Sequence, residues 1–434
     1  MTKRATSLLV RGATIFTQDA KRATLRDCDV LVEDGRIARI GKGLREKAEF
    51  VIGGRGKLLL PGFINSHTHA AMSLFRGLED ESELQDAWLA RIWKEEARLK
   101  EKDIYHGTRL AALEMIRSGT TCFADFYFFP DAAAKAAAEI GIRARIGPDV
   151  QDRRTPQAKD GKGALRLSER FASRFSKGGL VSAVAYAHSV YTCSGETIVK
   201  AMEIGKKHGL KTHMHVSETR KEAYDLKKGT GKRPVEWLDS LGVLSPEMTA
   251  GHCVWLTKSE VALLGKRGAS VAHCPVSNMK LAGGGAAPVP EMLGSGVNVA
   301  LGTDGPASNN SLDMIDTMKM CALLHKNARW DARAVSAQQV LDFATRNGAA
   351  GLGVDAGSIG VGKLADFILL DLKAPNLSPA GLGGHASQVV YAANAGNVSD
   401  VVVDGKLLLN ERGFVGLDEE KIIAEAAKAA ESLR

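Results

Sequence analysis

The sequence predicts an α/β protein in which an eight-stranded β/α barrel interrupts a small β-sandwich, and three observations carry that prediction. Residues 1–60 and 357–434 are rich in short alternating apolar runs. Residues 61–356 instead alternate eight short apolar runs with helical stretches. The ends of those eight runs collect seven of the chain's 11 histidines. The expected division is therefore an N-terminal sandwich part (1–60), a barrel (61–356), and a C-terminal sandwich part with a terminal helix (357–434).

In the first segment, "SLLVRGATIFTQ", "CDVLVEDGRIARIG" and "EFVIGGRGKLLL" alternate or cluster apolar residues between Asp-Gly and Gly-Gly turns, which reads as strands and hairpins. Such a sheet cannot cover itself. Its partner comes late in the chain, where "GKLADFILLDL" and "VSDVVVDGKLLLNERG" repeat the style, with a second Val-x-Asp-Gly hairpin signal. The two ends are expected to pair. The last stretch, "DEEKIIAEAAKAAESLR", has the apolar spacing of a helix packing on that unit.

The middle segment supplies "GFINSHTH", "TTCFADFY", "RARIGPDV", "VSAVAYAHSV", "KTHMHVSE", "TAGHCV", "SVAHCP" and "VNVALGTD" as strands. Helical patterns separate them, for example 103–118, 131–140, 195–208, 257–267 and 311–327. Eight such units suit a parallel (β/α)8 barrel of the TIM type better than an open sheet. In that architecture active sites sit at the C-terminal strand ends, so the polar residues there become the candidates.

Strand 1 ends in His67 and His69, which share a face because residues i and i+2 of a strand point the same way. Strand 4 ends in His188, strand 5 in His213, His215 and Glu218, strand 6 in His252, strand 7 in His273 and strand 8 in Asp304. We select His67, His69, His215 and Asp304 as metal ligands. Three neutral imidazoles and a carboxylate suit one divalent cation, zinc first, with iron or manganese compatible with the same donors. Such a cation lowers the pKa of a bound water toward about 7, creating a nucleophile at neutral pH. Asp304 is placed to accept the water proton as well. Glu218, three residues beyond His215, is expected to shuttle a proton to a substrate ring nitrogen. His252 is expected to donate a hydrogen bond to the hydroxide or to developing charge. His213 is assigned to support of the ligands, and His273 to support or to core packing.

Composition excludes other classes. With 44% hydrophobic and 25% charged residues the chain reads as globular, and no run approaches the roughly 18 apolar residues of a membrane span. The N-terminus lacks a long apolar segment or cleavage site, so a cytoplasmic location is expected. Six cysteines with no C-x-x-C pair read as free thiols. The formal charge of +8 comes from lysines and arginines set beside acids in helical stretches such as "WKEEARLKEKD". No nucleic-acid motif accompanies it, so a small-molecule partner is expected and nucleic acid is not.

The motifs "PGFINSHTHAAMSLFRG", "HMHVSET", "GHCVWL", "HCPVSNMKLAGG", "LGTDGPASNNSLDM" and "GKLADFILLD" resemble the amidohydrolase superfamily. Within it the resemblance is to the methylthioadenosine/S-adenosylhomocysteine deaminase group, closely related to triazine chlorohydrolases. It implies a mononuclear site, because binuclear relatives use a modified lysine ending strand 4, where this chain has "AYAHSV". It also implies hydrolytic deamination of an aminopurine nucleoside: methylthioadenosine, S-adenosylhomocysteine or 5'-deoxyadenosine, giving the inosine analogue and ammonia. The alternatives are hydrolysis of an s-triazine or other amino-heterocycle, and a non-catalytic scaffold. Family members often form homo-oligomers.

By the same resemblance Glu96 in "WKEEARL" takes ribose hydroxyls, a role that suits a carboxylate as a paired acceptor. His188 contacts substrate, and Glu218 contacts it during proton transfer. Trp88 and Trp93 wall the pocket or pack in the core. Members that accept S-adenosylhomocysteine commonly carry an arginine after strand 3, where this chain has Pro148. Arg153 and Arg154 are the nearby candidates to replace it, and the sequence does not show that either does.

Overall fold

The computed structural model describes residues 7–82, 87–380 and 383–433. The chain begins with five strands, β1 (Ser7–Phe16), β2 (Thr24–Glu33), β3 (Arg36–Gly41), β4 (Phe50–Gly53) and β5 (Lys57–Pro61). The β2–β3 turn is Asp34-Gly35, both residues with positive φ, 50° and 76°. Those angles give a hairpin turn whose twist matches the strands it joins.

The barrel follows as β6 (Phe63–Thr68), β7 (Thr120–Tyr127), β8 (Arg143–Pro148), β9 (Val181–Ala183), β10 (Ala185–Tyr186), β11 (Thr212–Val216), β12 (Met248–His252), β13 (Ser270–His273) and β14 (Asn298–Leu301). All neighbours in it are parallel, in two ladders, β6-β7-β8-β9 and β10-β11-β12-β13-β14. The expected fourth strand is thus two short pieces that change partner at Val184. Val184 N donates to Ile146 O of β8 at 2.9 Å, and Ala185 N donates to Lys211 O, before β11, at 3.0 Å. Past the end of β14, the backbone N–H of Asp304 donates to His67 O at 2.9 Å and closes the ring.

The expected helices are present as Glu101–Arg117, Pro130–Ile140, Gly195–His208, Lys258–Arg267 and Met314–Arg329. Their ends follow from local chemistry. Ser194, Thr257 and Asp313 cap N-termini by accepting from backbone N–H groups, and Gly141, Gly209 and Gly268 close C-termini in the left-handed region.

The chain returns to β15 (Phe367–Asp371), β16 (Val398–Val403), β17 (Lys406–Asn410) and β18 (Gly413–Phe414), with the second Asp-Gly turn at Asp404-Gly405. Both chain ends form one nine-stranded sheet, ordered β18-β17-β16-β15-β5-β1-β2-β3 with β4 on β1. The join is β5 against β15, antiparallel from Lys57↔Asp371 to Pro61↔Phe367. Alternation sorts its residues. Leu59, Phe367 and Leu369 pack with Leu8, Val10, Ile15 and Val30, whereas Leu58, Leu60, Ile368 and Leu370 join the core shared with the barrel.

The terminal helix Glu419–Glu431 corrects the sequence expectation, because its ion pairs are with a barrel helix rather than with the sandwich. Its Glu419 pairs with Arg117, and its Glu425 pairs with Arg109 at 2.6 Å. Ile422, Ala426 and Ala429 form its buried stripe. The apolar spacing was legible, but the arginines that select its neighbour lie some 300 residues earlier.

Arg143 on β8 ties the barrel to the sheet, with Nε 2.6 Å and Nη2 3.1 Å from the two Asp366 oxygens and Nη2 2.8 Å from Asp404 Oδ1. The Arg143 and Asp366 side chains are 3% and 0% exposed. Arg143→Met is expected to destabilise the fold by about 3–5 kcal/mol, because it leaves a buried carboxylate without its partner. A denaturant titration checks this through the unfolding midpoint.

Among the described residues no helix is long and apolar enough to cross a membrane. All six cysteines are free and buried.

Candidate active site

The strand ends bring the predicted residues to one point. In β11, Met214 faces the helical layer with the common core, so His213 and His215 face inward. One ligand atom each from His67, His215, His252 and Asp304 lies within 4.8 Å of all the others. His69 joins through Nε2, 3.3 Å from both Asp304 Oδ1 and His215 Nε2.

Hydrogen bonds at the far side of each ring divide the roles. His69 Nδ1–H donates to Phe126 O at 2.7 Å, and His215 Nδ1–H donates to His188 O at 2.9 Å. Both rings therefore turn an Nε2 lone pair to the cluster. His67 Nδ1 lies 2.8 Å from His213 Nε2, which puts His213 behind a ligand candidate, while His67 Nε2 stands 3.5 Å from Asp304 Oδ1. His252 differs. Its Nδ1 accepts from the Asn278 amide at 3.0 Å, so its proton sits on Nε2, 3.5 Å from Glu218 Oε1.

Asp304 sits in the left-handed region, with φ of 63°. Its Oδ2 accepts from Ser277 Oγ (2.6 Å) and Ser308 Oγ (2.7 Å), leaving Oδ1 to the imidazoles. Gly302, just past β14, has no room for a side chain, since a Cβ there would lie 2.7 Å from His67 Cβ. Glycine is what lets this segment close against His67.

Burial penalises charge on every one of these groups. It holds His67 and His215 below the ordinary imidazole value and takes His252 down to about 3. Asp304 nevertheless lies well below the carboxylate range, because its contacts with His67 and His69 outweigh the burial. Glu218 lies well above that range, raised by burial and then by the Asp304 and Glu222 charges, so its carboxyl is held neutral. The loop that carries it is fixed by Glu222, whose oxygens accept from Ser217 N and Glu218 N, each at 2.8 Å.

The donor set fits a divalent cation. Three imidazole nitrogens and one carboxylate converge, His67 Nε2 is buried without a hydrogen-bond partner, and the buried Asp304 charge calls for a counter-charge.

A cavity opens from this cluster, lined by His69, His215, Glu218 and Asp304 and also by Trp88, Trp93, Glu96, Tyr127, Asp149, Gln151 and His188. Glu96, at the end of the helix Leu89–Glu96, accepts from Tyr127 Oη at 2.8 Å. Burial pushes its carboxyl up to about 7, against the Tyr127 hydroxyl and the Arg153 charge. His188 is neutral by burial and has Nδ1 2.9 Å from Thr192 Oγ1. Both tryptophans reach the cavity wall.

Other candidates lie elsewhere. His273 is outside this group, with Nε2 3.1 Å from His325 Nε2 on the helix Met314–Arg329, where Cys321 completes a buried trio. Pro148 ends β8, and Arg154 is exposed. Arg153 stands beside the cavity, its guanidinium 4.0 Å over the Trp93 ring and Nη2 3.8 Å from Glu96 Oε2. Sequence reasoning passed over Asp149 and Gln151. Their one signal was a place just past the end of strand 3, on the rim where barrel sites are built.

The amidohydrolase family model matches residues 58–408. The chain is 42% identical to a 5'-deoxyadenosine deaminase of Methanosarcina mazei over 98% of both chains. It is 40% identical to a 5-methylthioadenosine/S-adenosylhomocysteine deaminase of Aquifex aeolicus, over 93% of this chain and 94% of that one. Among solved structures it resembles an adenosine deaminase from Xanthomonas campestris with bound zinc, with a TM-score of 0.95 and 33% identity over 99% of both chains. An atrazine chlorohydrolase from Arthrobacter aurescens complexed with zinc gives a TM-score of 0.90 and 25% identity, over 98% of this chain and 100% of that one. The family match runs from β5 through the whole barrel to β17, and the relatives align along nearly their full length: the chain belongs to the amidohydrolase family.

Proposed function

We propose that the protein is a metal-dependent hydrolytic deaminase of an aminopurine nucleoside, with a 5'-modified adenosine as substrate. The candidates are 5'-deoxyadenosine, methylthioadenosine and S-adenosylhomocysteine, each giving the inosine analogue and ammonia. One observation carries this reading: the metal-type cluster and the acid Glu218 share a cavity with Glu96, a carboxyl suited to sugar hydroxyls, in a chain 40% or more identical to deaminases of such nucleosides.

His67, His69, His215 and Asp304 would hold one cation, zinc in this reading, with iron or manganese open to the same donors. The cation, when bound, makes a water a nucleophile at neutral pH. The chain's own groups do the rest. His252 Nε2–H donates to the oxygen that adds to the amine-bearing carbon. Glu218, neutral in its buried place, gives its proton to the adjacent purine ring nitrogen and so makes that carbon more electrophilic. Asp304 Oδ1 takes one proton from the attacking oxygen and passes it to the amine, which leaves as ammonia when the carbon–nitrogen bond breaks. The oxygen's second proton is lost as the product carbonyl forms and restores neutral Glu218. Ser277 and Ser308 keep the Asp304 carboxylate oriented through its other oxygen. Glu96 accepts from a ribose hydroxyl through Oε2, its other oxygen being held by Tyr127, His188 contacts the bound nucleoside, and Trp88 and Trp93 exclude water.

The test is ammonia release by zinc-loaded protein from S-adenosylhomocysteine, methylthioadenosine, 5'-deoxyadenosine, adenosine and guanine. Release from the adenosine compounds and not from guanine is the expected result. Chloride release from a chlorotriazine, with no nucleoside deaminated, would replace this reading with triazine hydrolysis.

A further inference from the structure

Asp149 lies one residue past β8 and is 2% exposed, yet it lines the cavity. Its backbone is held on both sides, N donating to Tyr127 O at 3.0 Å and O accepting from Gln157 Nε2 at 3.2 Å. Its side chain is held at one oxygen only. Oδ2 accepts from Gln151 Nε2 at 2.9 Å, and Gln151 Oε1 accepts in turn from Arg153 Nε at 2.6 Å. Among the described residues Oδ1 has no hydrogen-bond partner.

Glu96 repeats the arrangement, with Oε1 accepting from Tyr127 Oη while Oε2 stands 3.8 Å from Arg153 Nη2, beyond hydrogen-bond reach. Two buried carboxyls in one cavity thus each commit one oxygen to the protein and leave one open. Burial pushes both up to about 7, and Arg153, packed on Trp93, opposes that in each case. A buried carboxylate oxygen left without a donor is costly, so an open one in a substrate cavity calls for a donor on the substrate.

We infer that Asp149 is a substrate-recognition residue, accepting through Oδ1 a hydrogen bond from a nucleoside hydroxyl other than the one taken by Glu96 Oε2. The inference rests on the nucleoside reading above and sharpens it.

The experiment compares adenosine with 2'-, 3'- and 5'-deoxyadenosine on zinc-loaded wild-type enzyme and on Asp149→Asn, which keeps the shape but turns an amide into the cavity. Removing one of the three hydroxyls is expected to lower wild-type kcat/KM by about tenfold or more, the ordinary worth of a hydrogen bond to a charged group. In Asp149→Asn the same removal is expected to cost nothing further, while the other two penalties persist. Gln151→Leu, which frees the carboxyl from its anchor, is expected to shrink that same penalty. Equal penalties in wild type and both variants overturn the role of Asp149 and leave the deaminase reading standing. No turnover of any nucleoside by wild type overturns the deaminase reading, and this subsite with it.

Discussion

Asp304→Asn is expected to lower kcat on the best adenosine of the panel by about 10⁴-fold or more and to reduce bound metal in the same protein. Asparagine keeps the volume but removes the only anionic donor among three neutral imidazoles, so a buried cation loses its charge partner. It also removes the base that takes the proton from the attacking oxygen. Ser277 Oγ and Ser308 Oγ, 2.6 and 2.7 Å from Oδ2, would then face an amide in place of a carboxylate. Elemental analysis of purified protein and a single-turnover ammonia assay read the two losses separately. His67→Ala is expected to reduce metal and activity together for the same reason. A variant with full activity and no metal would remove the cluster from the mechanism.

The second large effect is expected at the acid. Glu218→Gln should reduce kcat by roughly 10²–10⁴-fold, the usual worth of a positioned general acid, while metal content and KM stay near wild type. Glutamine retains the position beside His252 but has no carboxyl proton to give. The pH dependence follows in sign. Burial and neighbouring carboxylates raise Glu218 well above the ordinary range, so the protonated, active form persists into neutral pH and is lost as pH rises through its pKa. Wild-type kcat is therefore expected to fall on the alkaline side, and that limb is expected to disappear in Glu218→Gln. An unchanged alkaline limb in the variant would assign it to another group.

The gap between sequence and structure is clearest at particular residues. His-x-His at 67 and 69 predicts a shared direction, because strand alternation is local, and both rings do face Asp304. Strand-end position placed Glu218 and His252 at one mouth and the family resemblance brought Glu96 there, and they line or adjoin it. It failed for the fourth strand, where the single run "VSAVAYAHSV" conceals the change of partners at Val184. It failed for the terminal helix, whose buried stripe was visible but whose arginine partners were not. Asp149 looked like any acid in a loop, since its importance lies in Gln151, Arg153 and a cavity wall that only folding assembles.

The sequence by itself thus determined the alternation of strands and helices, the Asp-Gly turns, and the set of donors gathered at one rim, because periodicity and turn chemistry act over a few residues. Only the tertiary structure decided which ring nitrogen of His69, His215 and His252 carries the proton. That choice depends on the Phe126 and His188 carbonyls and the Asn278 amide. It separates His69 and His215, whose lone pairs face the cluster, from His252, which presents a hydrogen. The reason is physical: a tautomer is set by a hydrogen-bond partner, and here the partners arrive from other strands and helices, at separations no local pattern can encode.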